Sequence, residues 1–137
     1  EGSPMRYMLD TNICIYAIKN QPTQVLQRLR SHVSEGISIS SVTLAELEHG
    51  VCKSAYPERN AAALLQFLII LQILPFDAVA AREYGNICAA LQKKGTPIGT
   101  MDMLIAAHAR AEKLILVTNN VREFARVPDL SIENWAQ

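Results

Sequence analysis

The chain has no excess charge of either sign: 13 Lys and Arg balance 13 Asp and Glu over 137 residues. A domain that captures nucleic acid by bulk electrostatics is expected to be basic, so any such role must rest on local groups. Cysteine is also scarce. Cys14, Cys52 and Cys88 are an odd number, far apart, with no Cys-x-x-Cys pair, and they read as ordinary thiols of a reducing compartment. A zinc site needs close ligand pairs, which His32, His49 and His108 do not supply. Long hydrophobic runs are missing too. A run such as residues 67–71 falls well short of the roughly 18 apolar residues of a membrane helix. With no secretory leader before the first strand, the expectation is a soluble, cytoplasmic protein without membrane contact. There is no repeat, linker or low-complexity segment.

What is there is an apolar half of the composition, enough to bury the core of one domain. Glu1-Gly2-Ser3-Pro4 precedes Met5 and reads as a cloning scar, leaving a single domain over residues 5–137. Tyr7-Met8-Leu9 is a short apolar run that stops at Asp10 and predicts a buried strand. Helical patterns follow over residues 12–18 and, past Pro22, over about 23–33. Ile37-Ser38-Ile39-Ser40 predicts a second strand. The next helix carries Leu44, Leu47 and Val51 on one face, with Gly50 as its stop. A helix opens at Pro57 and runs to about residue 70. A third strand covers residues 73–76, and Asp77 caps a long helix over 78–94. Residues 95–99 form a loop before a central, nearly all-apolar helix over 101–111. Residues 114–118 predict a strand covered on both faces, and residues 130–132 a last edge strand. Alternating strands and helices imply an α/β layered fold, a mostly parallel sheet of four to five strands flanked by helices. Sites in such sheets lie outside the carboxyl ends of the strands.

Four acids meet that rule. Asp10 directly follows the first strand, although it would serve equally as a helix N-cap. Glu46 lies near the start of the helix after the second strand, while its neighbour Glu48 reads as a solvated charge. Asp102 shares a helical face with Ile105, Ala106 and Ala109. It is therefore expected to be desolvated, which is costly without a partner and only partly relieved by the helix dipole, worth about 0.3–1 kcal/mol. Glu123 follows the strand over 114–118 and the turn Asn119-Asn120. Its rival reading is a capping box with Asn120. Thr11 and Asn12 add short polar groups beside Asp10. Two carboxylates about 4 Å apart repel by roughly 4 kcal/mol at an effective dielectric near 20, so a converging cluster calls for a proton or a cation. Hard oxygen donors suit Mg²⁺ or Mn²⁺, which polarise a phosphoryl oxygen and activate water for in-line attack. The cation also makes an acidic pocket usable by an anionic substrate. Lys53, Arg59, Arg82, Lys93, Lys94, Arg110, Arg122 and Arg126 are available for a basic rim.

Leu9-Asp10-Thr11-Asn12, Ser41-x-x-x-x-Glu46, Gly99-x-x-Asp102-x-x-Ile105-Ala106-Ala107 and Thr118-Asn119-Asn120-x-x-Glu123-Phe124 together resemble the VapC-type PIN-domain toxins. The likeness runs from Met5 to Trp135. It implies a PIN-like fold and a Mg²⁺- or Mn²⁺-dependent endoribonuclease, the toxin of a bacterial VapBC toxin–antitoxin pair. Asp10 and Asp102 would be the metal ligands, Glu46 and Glu123 would complete the catalytic acids, and Thr11, Asn12, Thr118 and Asn119 would be supporting polar groups. It further implies a VapB antitoxin whose C-terminal segment blocks the site, a homodimer within a toxin–antitoxin hetero-oligomer, and RNA as substrate. The Met8-Leu9-Asp10-Thr11-Asn12 subgroup points to initiator tRNA cut in its anticodon stem-loop. Thr100 stands where many relatives have Pro, Asn or Ala. Many relatives have Asp in place of Glu123, whose extra methylene means that it is expected to reach a metal only through water. Two other readings stay open: a receiver domain whose Asp accepts phosphate, and a PIN module that binds RNA without cleaving it.

Overall fold

The computed structural model describes residues 5–137; the four residues read as a cloning scar lie outside the described residues. Five parallel strands form one sheet in the order β3-β2-β1-β4-β5: β1 (Tyr7–Leu9), β2 (Ile37–Ser40), β3 (Gln72–Leu74), β4 (Ile115–Val117) and β5 (Ile132–Glu133). Among the described residues seven α-helices connect them: α1 (Thr11–Lys19), α2 (Thr23–His32), α3 (Ser41–Cys52), α4 (Pro57–Leu68), α5 (Ala78–Lys94), α6 (Thr100–Ala111) and α7 (Val121–Phe124). Among the described residues, no helix is long and apolar enough to cross a membrane.

The apolar run of β1 is explained by cover on both faces. Successive strand side chains point to opposite sides. Tyr7 and Leu9 enter a core with Ile13, Val25, Leu29, Leu64, Phe67 and Trp135, whereas Met8 enters a second core with Ile87, Leu91, Ile105 and Phe124. Strands of this kind are apolar throughout rather than alternating.

Local chemistry sets most element ends. Asn20 and Gly95 close α1 and α5 in the left-handed conformation, at φ 55° and 70°, as helix C-caps commonly do. The Asp77 carboxylate accepts the Ala80 N–H at 3.0 Å and caps α5 as expected. Pro75, which has no N–H for the ladder, stands just past β3, so that strand covers 72–74 rather than 73–76. Gly50 does not end α3, which continues to Cys52; one helical Gly costs about 1 kcal/mol, and packing of Leu47 and Val51 outweighs it. The last strand is shifted from residues 130–132 to Ile132–Glu133, where it pairs with Leu116 and Val117.

Candidate active site

The sheet order places the site. From β1 the chain moves outward through β2 and β3, then returns to the other side of β1 as β4. A crevice at the carboxyl ends of β1 and β4 is therefore expected. Leu9 is in register with Val117, so the next residues on each strand, Asp10 and Thr118, stand side by side. The Thr118 hydroxyl donates to Asp10 Oδ2 at 2.5 Å. Asp10 Oδ1 accepts the Ile13 N–H at 2.9 Å, so the cap reading of Asp10 holds.

Asp10 is 4% exposed. Its pKa is pushed up from an ordinary 3.8 to about 6, foremost by burial. Asp102 and Glu46 push in the same direction, and the bonds from Thr118 and Ile13 oppose it. Burial disfavours the charged form, and neighbouring carboxylates add to that.

Asp102 lies in the first turn of α6. Its pKa is raised by burial, then by Glu123 and Glu46. The desolvation expected of Asp102 is found only in part. Ile105, Ala106 and Ala109 are buried, whereas Asp102 is only half-buried and Asp10 is the deeply desolvated acid. A helix that precedes a parallel strand runs against it, so its first turn lies at the open carboxyl edge of the sheet.

Glu46 is half-buried on α3. Its Oε1 accepts the Thr11 hydroxyl at 2.5 Å, and Thr11 Oγ1 is also 3.4 Å from Thr43 Oγ1. The two threonines that frame Asp10 thus serve different acids, Thr118 holding Asp10 and Thr11 holding Glu46. Glu123 is half-buried on α7. The capping box that rivalled its site reading is not formed: the Asn120 side chain makes no cap bond among the described residues, and the Asn120 N–H donates to Thr118 Oγ1 at 2.9 Å. Four acids remote in sequence are thus close enough to act on one another's charge.

The other expected polar groups lie outside this cluster. Asn12 is exposed on α1. Asn119 is exposed at the rim, where its Nδ2 donates to the Tyr16 hydroxyl at 3.3 Å and its Oδ1 accepts from Asn134 Nδ2 at 3.2 Å. Tyr16 is a rim residue that no sequence motif marked, whereas Asn134 belongs to the closing Glu133-Asn134-Trp135 of the family likeness. Among the basic candidates, Arg126 bonds the carbonyl of Pro97 at 3.1 Å, in the loop that leads to Asp102. Arg110 is occupied by Glu83, at 2.6 Å.

Among the described residues, no three His, Cys, Asp or Glu side chains form a ready-made metal cage. Mg²⁺ needs none, since it is commonly bound through one or two carboxylates with waters and substrate phosphates. The donor chemistry fits such an ion. Asp10 and Asp102 offer hard oxygens, and Asp10 bears a buried charge that a cation would relieve.

The PIN domain family matches residues 7–130 of the chain. A ribonuclease VapC2 of Haemophilus influenzae is 51% identical over 131 residues, covering 96% of this chain and 98% of its own length. A tRNA(fMet)-specific endonuclease VapC of Salmonella typhimurium is 47% identical over 131 residues, with the same coverage. The crystal structure of VapBC2 from Rickettsia felis, bound to a DNA fragment from its promoter, superposes with a TM-score of 0.91 at 46% identity, over 96% of this chain and 99% of that one. With its parallel sheet, its acids at the carboxyl edge and these relatives, the chain belongs to the PIN-domain family and, within it, to the VapC ribonucleases.

Proposed function

We propose that residues 5–137 form one PIN domain that hydrolyses RNA phosphodiester bonds with a divalent cation, as the toxin half of a toxin–antitoxin pair. The observation that carries this reading is the buried Asp10 beside Asp102, Glu46 and Glu123 at the switch point of the sheet. Perturbed acids gathered in a crevice mark functional sites. PIN-family membership sets aside the receiver-domain reading.

Asp10 and Asp102 would hold Mg²⁺ or Mn²⁺. When bound, the cation offsets the charge of the scissile phosphate and acidifies the attacking water. Thr118 keeps Asp10 ionised and oriented by donating to Oδ2. Thr11 fixes Glu46 Oε1, leaving the other carboxylate oxygen to take the proton of the attacking water. Glu123, one methylene longer than Asp, would reach the cation only through water. Asn119, Tyr16 and Arg126 at the rim supply hydrogen bonds and positive charge for the RNA backbone. The relatives named for tRNA(fMet) cleavage support initiator tRNA as the substrate. RNA as substrate and three unpaired thiols support a cytoplasmic setting.

An antitoxin partner is supported by a groove of about 290 Å³ that starts at Glu46 and runs between α1, α3 and α4. Ile15, Ile18, Leu47, Val51 and Leu64 line it, so it suits the apolar face of an amphipathic segment. A chain seated there would cover Glu46. The test is cleavage of initiator tRNA against elongator tRNAs, with Mg²⁺ or EDTA, beside Asp102→Asn. Selective cleavage that EDTA and the variant abolish is expected. RNA binding with no cleavage by the wild type would favour the non-cleaving module, and cleavage that survives both EDTA and the variant would sink the site.

A further inference from the structure

His108 is fully buried on α6, and the mechanism above does not use it. Its Nδ1 lies 2.8 Å from Ser40 Oγ, and its Nε2 has no hydrogen-bond partner among the described residues. The nearest acid, Glu112, stands 3.9 Å from Nε2, beyond hydrogen-bonding distance. A buried imidazole with one nitrogen unsatisfied is costly, so packing alone is a poor reason for a histidine here.

Ser40 explains it. Its Oγ accepts the Val42 N–H at 3.0 Å as the N-cap of α3. The Ser40 hydroxyl proton has no other acceptor among the described residues, so it is assigned to Nδ1 and the ring proton to Nε2, on the side of Glu112. This tautomer requires a neutral imidazole. Burial lowers the pKa of His108, against the opposing pull of Glu112 and Asp77, and so favours that state. The next hydroxyl is engaged as well: Ser41 Oγ accepts the Phe76 N–H at 3.0 Å, and the Phe76 ring meets the His108 ring edge-on with centroids 5.5 Å apart. The first turn of α3 is therefore clasped on one side by α6 and on the other by the segment that leads into α5. Glu46 rides on α3 and Asp102 on α6.

We propose that His108 is a positioning residue of the acidic pocket: by accepting the Ser40 hydroxyl at Nδ1 it ties the start of α3 to α6 and so sets Glu46 relative to Asp102. The inference rests on the ribonuclease reading for its effect on rate but not for its effect on structure. A misplacement on the order of 1 Å costs about 100-fold in rate. His108→Leu, which fills the site but offers no acceptor, is expected to lower kcat on RNA by about 10- to 100-fold while KM changes by less than about threefold. His108→Asn places an amide oxygen where Nδ1 stood and is expected to recover kcat to within about threefold of wild type. Amide exchange at Val42, measured on the intact protein without RNA, is expected to accelerate by about tenfold in His108→Leu but not in His108→Asn.

Wild-type rate in His108→Leu, or equal impairment in both variants, would overturn the proposal, because volume rather than the hydrogen bond would then matter. If His108→Leu does not fold, Ser40→Ala keeps the imidazole and removes its donor. It should lose kcat to the same degree, and a full rate in that variant overturns the idea. A wild type that leaves RNA intact would refute the ribonuclease reading instead. Val42 exchange then still decides the clasp, since unchanged exchange in His108→Leu refutes it.

Discussion

Removing the charge of Asp10 should make the protein more stable while abolishing its activity. Asp10 is 4% exposed, and its folded pKa of about 6 lies above the ordinary 3.8. This is the reverse of the usual salt-bridged carboxylate. Between those two values the folded state holds a proton that the unfolded state has released, so stability is greatest below about pH 4 and falls as pH rises through 6. A gap of about two pH units at 1.36 kcal/mol each amounts to about 3 kcal/mol lost at pH 7. Asp10→Asn removes that penalty, and Asn remains a good N-cap for the Ile13 N–H. The Thr118 hydroxyl must turn to meet an amide, which returns part of the gain. The expected net effect at pH 7 in EDTA is therefore a stabilisation of about 1–3 kcal/mol. Urea unfolding of both proteins at pH 7 and pH 4 measures it. The advantage should shrink toward zero at pH 4, where Asp10 is protonated in the folded wild type. Added Mn²⁺ should raise the midpoint of the wild type more than that of the variant, by ligand linkage. Equal stability at both pH values, or a variant weaker than wild type at pH 7, would refute the claim that Asp10 bears an unrelieved buried charge.

Thr118→Val removes the hydroxyl that opposes the raised pKa of Asp10. A hydrogen bond to a charged group is worth about 1.5–3 kcal/mol, so the Asp10 pKa should rise by roughly one to two further units. Carbon-13 NMR of the metal-free carboxyl would read this directly, and the acid limb of the cleavage profile should move upward with it. An unchanged titration would show that the 2.5 Å contact carries no electrostatic weight. Leu29→Ala, fully buried on α2, should cost about 2–5 kcal/mol in urea unfolding. It should leave RNA cleavage by the remaining folded protein unchanged, because Leu29 packs in the core of Val25 and Trp135, on a helix that carries none of the four acids.

Much of this protein follows from local sequence. The parallel sheet was legible because Tyr7-Met8-Leu9 and the run around Leu116 are apolar without alternation, a pattern only strands covered on both faces require. Asp77 and Gly95 marked the ends of α5 because capping is a short-range interaction. Asp10 and Asp102 stood out because each acid adjoins an apolar segment at a strand end or a helix start. The burial of the two aspartates could not be ranked in the same way. Helical periodicity put Asp102 on an inward face but carries no information on where α6 clears the sheet, and that decides which acid is desolvated.

Pairings across long stretches of chain were likewise invisible. Thr118 finds Asp10 across 108 positions, Thr11 finds Glu46 across 35, and His108 finds Ser40 across 68. Sequence alone determined the strand and helix periods, the caps and the residue types of the pocket, because those depend on neighbours within a turn or two. Only the tertiary structure decided which hydroxyl holds which carboxylate, which aspartate bears the buried charge and what the one buried histidine grips. Those depend on strand order and register, which bring together groups that no local period relates.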